Sequence, residues 1–427
     1  GRRLQRRGAP ARRAEGRLIM NLPAEGTSSR IALERLAAVN WMLLAGVAGL
    51  VLVGVVTLYA AGGGSFHPWA EQHAIRFVAG IALVLAMAVV PLRVWLQAAY
   101  PAYAAGLVLL ALVPVIGVEA LGAKRWLAVA GISFQPSEIV KVALVAALAR
   151  YYHMLPPDQV SWPRHLVLPL TLILLPLALT LKQPDLGTAM LLALVGLSLM
   201  FLSGVSVAYF AAGAAAALAS LPIVLRNLHG YQLKRLETFL DPGKDPLGAG
   251  YHISQSKIAL AAGGLDGKGY MLGTQSRLRF LPENHTDFIL AMFGEEWGFV
   301  GTSALLVLFG VVLAMVLIMA LRARGRFARL LIAGFGLLLF VYAAINVAMV
   351  TGVAPVVGIP LPFVSYGGTS MMTLMVSLGL AMSAHVHSRA KPRAEVFHRQ
   401  APEPRGARAL STRAGARPSP RADRSGR

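Results

Sequence analysis

From residue 40 to residue 387 the chain alternates between long apolar runs and short polar connections, and that rhythm predicts the architecture. Crossing the hydrocarbon of a bilayer, roughly 30 Å, takes about 20 helical residues. Ten stretches approach that length: 40–61, 74–92, 96–117, 136–154, 164–182, 187–203, 205–226, 288–321, 328–351 and 368–387. A spanning segment must satisfy its own backbone hydrogen bonds, so each is expected to be a helix. The predicted fold class is an all-α polytopic membrane protein. It is a bundle of about ten transmembrane helices, with a large loop, 227–287, between the seventh and eighth.

Composition removes the soluble alternative. Hydrophobic residues make up 56% of the chain and charged residues 14%, with a mean hydropathy of +0.62, far from a water-soluble domain. The formal net charge of +21 comes largely from Arg-rich ends, residues 1–39 and 389–427. Arg150, Arg164, Arg322, Arg324, Arg326 and Arg329 fall in short connections or at span ends, whereas 62–75 and 352–367 are nearly uncharged. The positive-inside rule then puts both termini in the cytoplasm and the loop 227–287 outside. Basic tails of this kind suit anionic lipid headgroups, so the expected partner of the charge is the membrane and not nucleic acid. The domain scheme is a basic N-terminal segment 1–39, helices one to seven over 40–226, the outer loop 227–287, helices eight to ten over 288–387 and a basic, Pro-rich, disordered tail 388–427. Met20 offers an alternative start, which would make 1–19 an extension.

The absence of cysteine excludes disulfides and thiol chemistry. No Walker A, Rossmann or HExxH pattern is present, so the chain offers no nucleotide or zinc-hydrolase site.

Polar residues inside an apolar bundle are costly and therefore informative. Asp287 ends the loop through Leu281-Pro282-Glu283-Asn284-His285-Thr286 and opens the eighth span, placing a carboxylate near the membrane interface. It is the candidate catalytic residue. His285 is a helix-entry hydrogen-bonding residue or a base beside it. Glu138 and Lys141, three residues apart, share a helix face, either as a neutralising ion pair or as part of a cavity in which Lys141 or Arg125 meets an anionic group. Asp185 suits a helix cap with Thr188 in the first turn. Glu295 and Glu296 cannot share one face, so at least one should point to a cavity or a cation. Gly294 and Gly298 beside them allow close helix packing. Ser365 and Tyr366, in Pro360-Leu361-Pro362-Phe363-Val364-Ser365-Tyr366-Gly367-Gly368, are turn residues or substrate contacts. Lys234, Arg235, Lys257, Lys268, Arg277 and Arg279 give the loop cations for phosphates or a solvated surface.

The strings GAKRWL, FQPSEIVK, QPDLGTA, FLDPGKDPLGAGYHISQSKIA, GTQSRLRFLPENHTDFI, GEEWG and PLPFVSYGGTS resemble the SEDS (shape, elongation, division and sporulation) family, nearer its elongation members than its division members. Asn284 stands where such sequences often carry Arg. The resemblance implies a ten-helix peptidoglycan glycosyltransferase of the bacterial cytoplasmic membrane. Its members polymerise lipid II, drawing on a polyprenyl-pyrophosphate-linked glycan outside the membrane. They work with a class B penicillin-binding transpeptidase and other elongation-complex proteins. It also implies Asp287 as catalytic aspartate and Arg125, Glu138, Lys141 and Asp185 as cavity residues. Chemistry fits this picture. A polyprenyl pyrophosphate leaves without full protonation, so one base suffices, and the leaving charge calls for cations. Arg125 and Lys141 are the first candidates, with Lys257 and a divalent ion, Mg or Mn, as helpers. The rival readings are a lipid II flippase and a non-catalytic scaffold that activates the transpeptidase.

Overall fold

The computed structural model describes residues 25–389 apart from 121–122, 130–131, 227–229, 231–232, 234–236, 240, 242, 244, 246–247, 279 and 282. The expectations for residues 1–19, for the tail beyond Arg389 and for Lys234, Arg235 and Arg279 lie outside the described residues. In chain order the elements are α1 (Glu25–Ala37), α2 (Trp41–Ala61), α3 (Trp69–Val89), α4 (Leu92–Ile116), β1 (Val118–Ala120), β2 (Ala123–Val129), β3 (Ile132–Phe134) and α5 (Pro136–Met154). They continue with α6 (Pro163–Lys182), α7 (Leu186–Leu202), α8 (Val207–Arg226), α9 (Ala249–Gly263), α10 (Thr274–Arg277), α11 (Ile289–Arg322), α12 (Arg326–Val350) and α13 (Gly368–Arg389).

All ten apolar stretches are helices, α2 to α8 and α11 to α13. Among the described residues seven are long and apolar enough to cross a bilayer. Of the other three, α7 and the apolar part of α8 are shorter, and α5 carries Glu138, Lys141 and Arg150. Their ends follow local chemistry. Asn40 caps α2 by accepting from Leu43 N at 3.2 Å, and Pro136 and Pro163 occupy the first turns of α5 and α6, where a missing N–H costs nothing.

The core runs through α5, α12 and α13, where Leu144, Leu148, Phe335, Leu338, Met375 and Leu378 are fully buried. Close approach depends on small residues. A Cβ on Gly334 of α12 would stand 2.1 Å from Val145 Cγ1 of α5.

A small antiparallel sheet, ordered β1-β2-β3, lies between α4 and α5 and was not anticipated. Glu119 faces Lys124 and Leu127 faces Phe134 across it. Seven residues, Ala123–Val129, form its central strand, too short a pattern to stand out between two spans.

The run 288–321, expected as one span, is bent. Gly298 in α11 has φ 66° and ψ −165°, which interrupts the helical hydrogen bonds. A break in the ladder needs new partners, and the glycine-rich loop after α9 supplies them. Lys268 N donates to Glu295 O (3.0 Å) and Gly269 N to Glu296 O (3.1 Å), while Phe299 N and Val300 N donate to Gly264 O (2.9 Å) and Leu265 O (3.1 Å). A Cβ on Gly298 would lie 2.3 Å from Gly267 N. The small-residue spacing therefore does two jobs. Gly294 admits Leu260 of α9, whose Cδ2 would be 2.5 Å from an added Cβ, and Gly298 makes the bend.

Gly298→Ala is expected to lose about 1–3 kcal/mol from backbone strain alone, seen as a lower melting temperature in detergent. Gly310→Ala, at a helical position where an added Cβ meets nothing within 4 Å, should melt at or above the parent temperature. Equal melting of the Gly298→Ala and parent proteins would remove this account of the bend.

Candidate active site

Asp287 lies in the turn that leads into α11. The turn is closed on Glu283, whose carbonyl accepts from Thr286 N (3.1 Å) and Phe288 N (3.2 Å) and whose carboxylate accepts from Thr286 Oγ1 at 2.6 Å. Asn346 of α12 fixes it from behind: Nδ2 donates to the carbonyls of Asp287 and Ile359, both at 2.8 Å. From the other side comes the loop between α12 and α13. Gly358 (φ 73°) is placed so that a Cβ there would stand 3.4 Å from Asp287 Oδ2, and Tyr366 N donates to His285 O at 2.9 Å.

Asp287 keeps part of its surface open, but its carboxyl lies deep among protein atoms. Desolvation, with the like charge of Glu283 adding to it, raises its pKa from 3.8 to about 6. A helix N-terminus favours the ionised form by about 0.3–1 kcal/mol. Burial outweighs it here. The result is a carboxyl poised to take or give a proton near neutral pH.

His285 has its imidazole stacked on Trp69 of α3, with centroids 4.3 Å apart and planes at 14°. Burial lowers its pKa, against the pull of Glu283. Tyr366 receives two α3 residues. Its hydroxyl donates to Gln72, and Arg76 donates to that hydroxyl at 3.2 Å with its guanidinium 4.7 Å from the ring centre. Nη1 of Arg76 is buried without a hydrogen-bond partner among the described residues. Ser365 is turned inward, its hydroxyl accepting from Leu361 N at 2.8 Å, so it closes its own loop.

A second cluster lies inside the bundle. Lys141 Nζ donates to Glu138 Oε1 at 2.7 Å and to the Tyr342 hydroxyl, which donates to Glu138 Oε2 at 3.1 Å. All three are buried. The ion pair is formed, with Tyr342 as a third member, and Glu138 also lies on the wall of a groove. Tyr342 precedes Asn346 by one turn of α12, so one helix face serves this cluster and the Asp287 turn. Asp185 caps α7 by accepting from Thr188 N at 3.2 Å and also accepts from Gln135 Nε2 at 3.0 Å. Arg125, on β2, donates to the carbonyls of Gln183 (3.2 Å) and Pro184 (2.5 Å), tying the sheet to the turn before α7. Lys257 is exposed on α9, packed across Gly352.

Sequence reasoning missed Arg76, Gln72, Tyr342, Asn346 and Trp69. Arg76 and Asn346, as polar residues within apolar runs, carried the signal that flagged Glu138; Tyr342 and Trp69 carried none. Among the described residues no group of three or more His, Asp or Glu side chains is arranged to hold a metal ion.

Fold and site define a multi-pass membrane protein with a carboxyl of raised pKa at the mouth of a helix. The family model described as Cell cycle protein, of FtsW, RodA and SpoVE, matches residues 35–390. The peptidoglycan glycosyltransferase MrdB of Escherichia coli K12 is 44% identical over 320 residues, 74% of this chain and 85% of that protein. MrdB of Helicobacter pylori is 37% identical over 313 residues, 72% of this chain and 81% of its own. Among solved structures, a chain of a peptidoglycan synthase complex that coordinates polymerization and crosslinking aligns with a TM-score of 0.72 at 32% identity, covering 83% of this chain and 99% of that one. The rod shape determining protein RodA of Thermus thermophilus aligns at 0.63 and 28% identity, covering 83% of this chain and 98% of its own. The protein belongs to the FtsW/RodA/SpoVE family, the SEDS family that its motifs resemble.

Removing one member of a buried ion pair strands the other. Lys141→Met is therefore expected to destabilise the protein by about 3–5 kcal/mol, with the double variant Glu138→Gln/Lys141→Met recovering much of it. Thermal denaturation of the three variants checks this. A double variant as unstable as the single one would show that the two charges are not coupled.

Proposed function

We infer that the protein is a peptidoglycan glycosyltransferase of cell-wall elongation, which polymerises lipid II with Asp287 as the general base. Membership of the family and 44% identity to a peptidoglycan glycosyltransferase support the activity. The observation that carries the base assignment is the carboxyl of Asp287, raised to about 6 by burial and held by Asn346 in a turn that stays partly open.

In the proposed step, the acceptor 4-hydroxyl attacks the anomeric carbon of the lipid-linked donor strand. Asp287 takes the hydroxyl proton, the new C–O bond forms with inversion, and the bond to the pyrophosphate breaks with its electron pair going to phosphate oxygen. The leaving charge calls for cations. Arg125 and Lys141, the first candidates from sequence, are engaged by backbone carbonyls and by Glu138 and Tyr342. Arg76, whose buried Nη1 has no partner among the described residues and which contacts the Tyr366 hydroxyl beside His285, is better placed to supply one. A divalent ion would have to be held largely by the pyrophosphate itself, since the described residues form no donor cluster for it. No step is assigned to it. An apolar groove of about 380 Å³ between α3, α4, α5 and α13, with Gln135 and Glu138 on its wall, suits a polyprenyl chain.

The similarity to a chain of a synthase complex supports a penicillin-binding transpeptidase as partner. The charge pattern supports cytoplasmic termini, an outer loop 227–287 and an extracytoplasmic active site. Scaffolding needs no proton-accepting carboxyl, and a flippase would place one along a path through the bundle, whereas Asp287 lies in the turn at the mouth of α11, which favours chemistry at the membrane surface.

Two outcomes are expected of the protein purified with its partner. Asp287→Asn should lower lipid II polymerisation by at least about 10²-fold while melting and partner binding stay normal. Because only ionised Asp287 accepts a proton, the rate should rise with pH through about 6 and then level, with about a tenth of the carboxyl ionised one unit below. A folded Asp287→Asn variant with full activity would end the base assignment.

A further inference from the structure

Beside the Asp287 turn lies a cavity of about 900 Å³, walled by residues that include Trp69, Arg277, Glu283, Asn284, His285 and Glu296. One of its carboxylates has no use in the mechanism above. Glu296 is 2% exposed, and its Oε2 has no hydrogen-bond partner among the described residues. Its neighbour shows what a satisfied carboxylate here looks like. Glu295 accepts from Lys268 Nζ (2.8 Å), Thr274 Oγ1 (3.1 Å) and Gln275 N (3.1 Å). The two adjacent acids have separated, one to a cation and one to the cavity.

A buried acceptor left unpaired costs about 1–3 kcal/mol, a cost a ligand donor would relieve. The volume matches that of small-molecule sites, about 300–1,000 Å³. The wall also has a flat face, since Trp69 and His285 stack, and such a face offers apolar area to the C–H surface of a sugar ring beside polar groups for its hydroxyls. His285 lies in the same turn as Asp287, so a ring held here stands next to the proposed base.

We propose that this cavity is a sugar subsite, in which Glu296 Oε2 accepts a hydrogen bond from a hydroxyl or acetamido N–H of a hexosamine in the lipid-linked acceptor and Trp69 covers the ring. The assignment rests on the glycosyltransferase reading. It adds Glu296 and Trp69 as residues that bind and orient the acceptor.

The probe is the soluble N-acetylglucosaminyl-N-acetylmuramic acid disaccharide, free of lipid and peptide, used with the protein in complex with its partner. It should inhibit polymerisation competitively with lipid II. Glu296→Gln and Trp69→Ala should raise both the KM for lipid II and the inhibition constant of the disaccharide about tenfold, with a smaller fall in kcat, and Trp69→Phe should restore much of the loss. Isothermal titration of the disaccharide provides a reading independent of turnover. Asp287→Asn should bind it like the parent, and Asp287→Asn/Glu296→Gln about tenfold more weakly. Unchanged KM and disaccharide affinity in folded Glu296→Gln and Trp69→Ala, or loss traced only to lower melting temperature, would overturn the subsite and leave the glycosyltransferase standing. Retained polymerisation by Asp287→Asn would instead overturn the base while the titration still judged the subsite.

Discussion

One side-chain amide holds the active end of the bundle together. Asn346 is fully buried and donates to the carbonyls of Asp287 and Ile359, which belong to segments about seventy residues apart in sequence. Neither segment has a regular ladder at that point, so the amide does what secondary structure does elsewhere. It also fixes where the Asp287 turn lies relative to α12. One turn earlier on that helix, Tyr342 closes the Glu138–Lys141 pair. Two features that look separate in the sequence therefore share a rigid support, and a shift of α12 would move both.

The same backbone constraint shapes the bend in α11. A glycine with positive φ breaks four helical positions open, and the loop after α9 fills them with its own N–H and C=O groups. That loop is costly to order, and its pairing with the bend offsets the cost. In return it positions Glu295 and Glu296 on different sides. Glu295 fastens the loop through Lys268 and Thr274, and Glu296 faces the cavity.

The helical fold was legible because membrane spans must be apolar and long. All ten stretches are helices, with ends displaced by a few residues where caps decide them. Asp185 as a cap and Glu138 with Lys141 as a pair were legible from spacing alone, since i, i+3 relations on a helix are local. The bend at Gly298 was not, because glycine in a small-residue spacing reads equally as a packing contact. Nor was the sheet, whose strands are short and whose pairing is local but lies between two strong apolar signals. Arg76, Tyr342 and Asn346 reach their partners across 290, 204 and 59 residues of chain. No spacing rule connects such positions, and a lone polar residue in a span says that it has a partner without saying which.

The proposed base is set apart from the carboxylates that hold the structure together by the incompleteness of its hydrogen bonding. Glu138 is met by Lys141 and Tyr342, Asp185 by Thr188 and Gln135, Glu283 by Thr286, and Glu295 by Lys268, Thr274 and Gln275. Each is held by donors of the protein itself, which fixes its geometry. Asp287 differs. Its carboxyl is desolvated and faced by the like charge of Glu283, and among the described residues no hydrogen bond or cation works in the opposite direction. An acid in that state is costly to keep ionised, and the strain is relieved when it accepts a proton. That is the physical requirement for a general base, and among these carboxylates it is met beside the cavity where a hydroxyl-bearing substrate would have room.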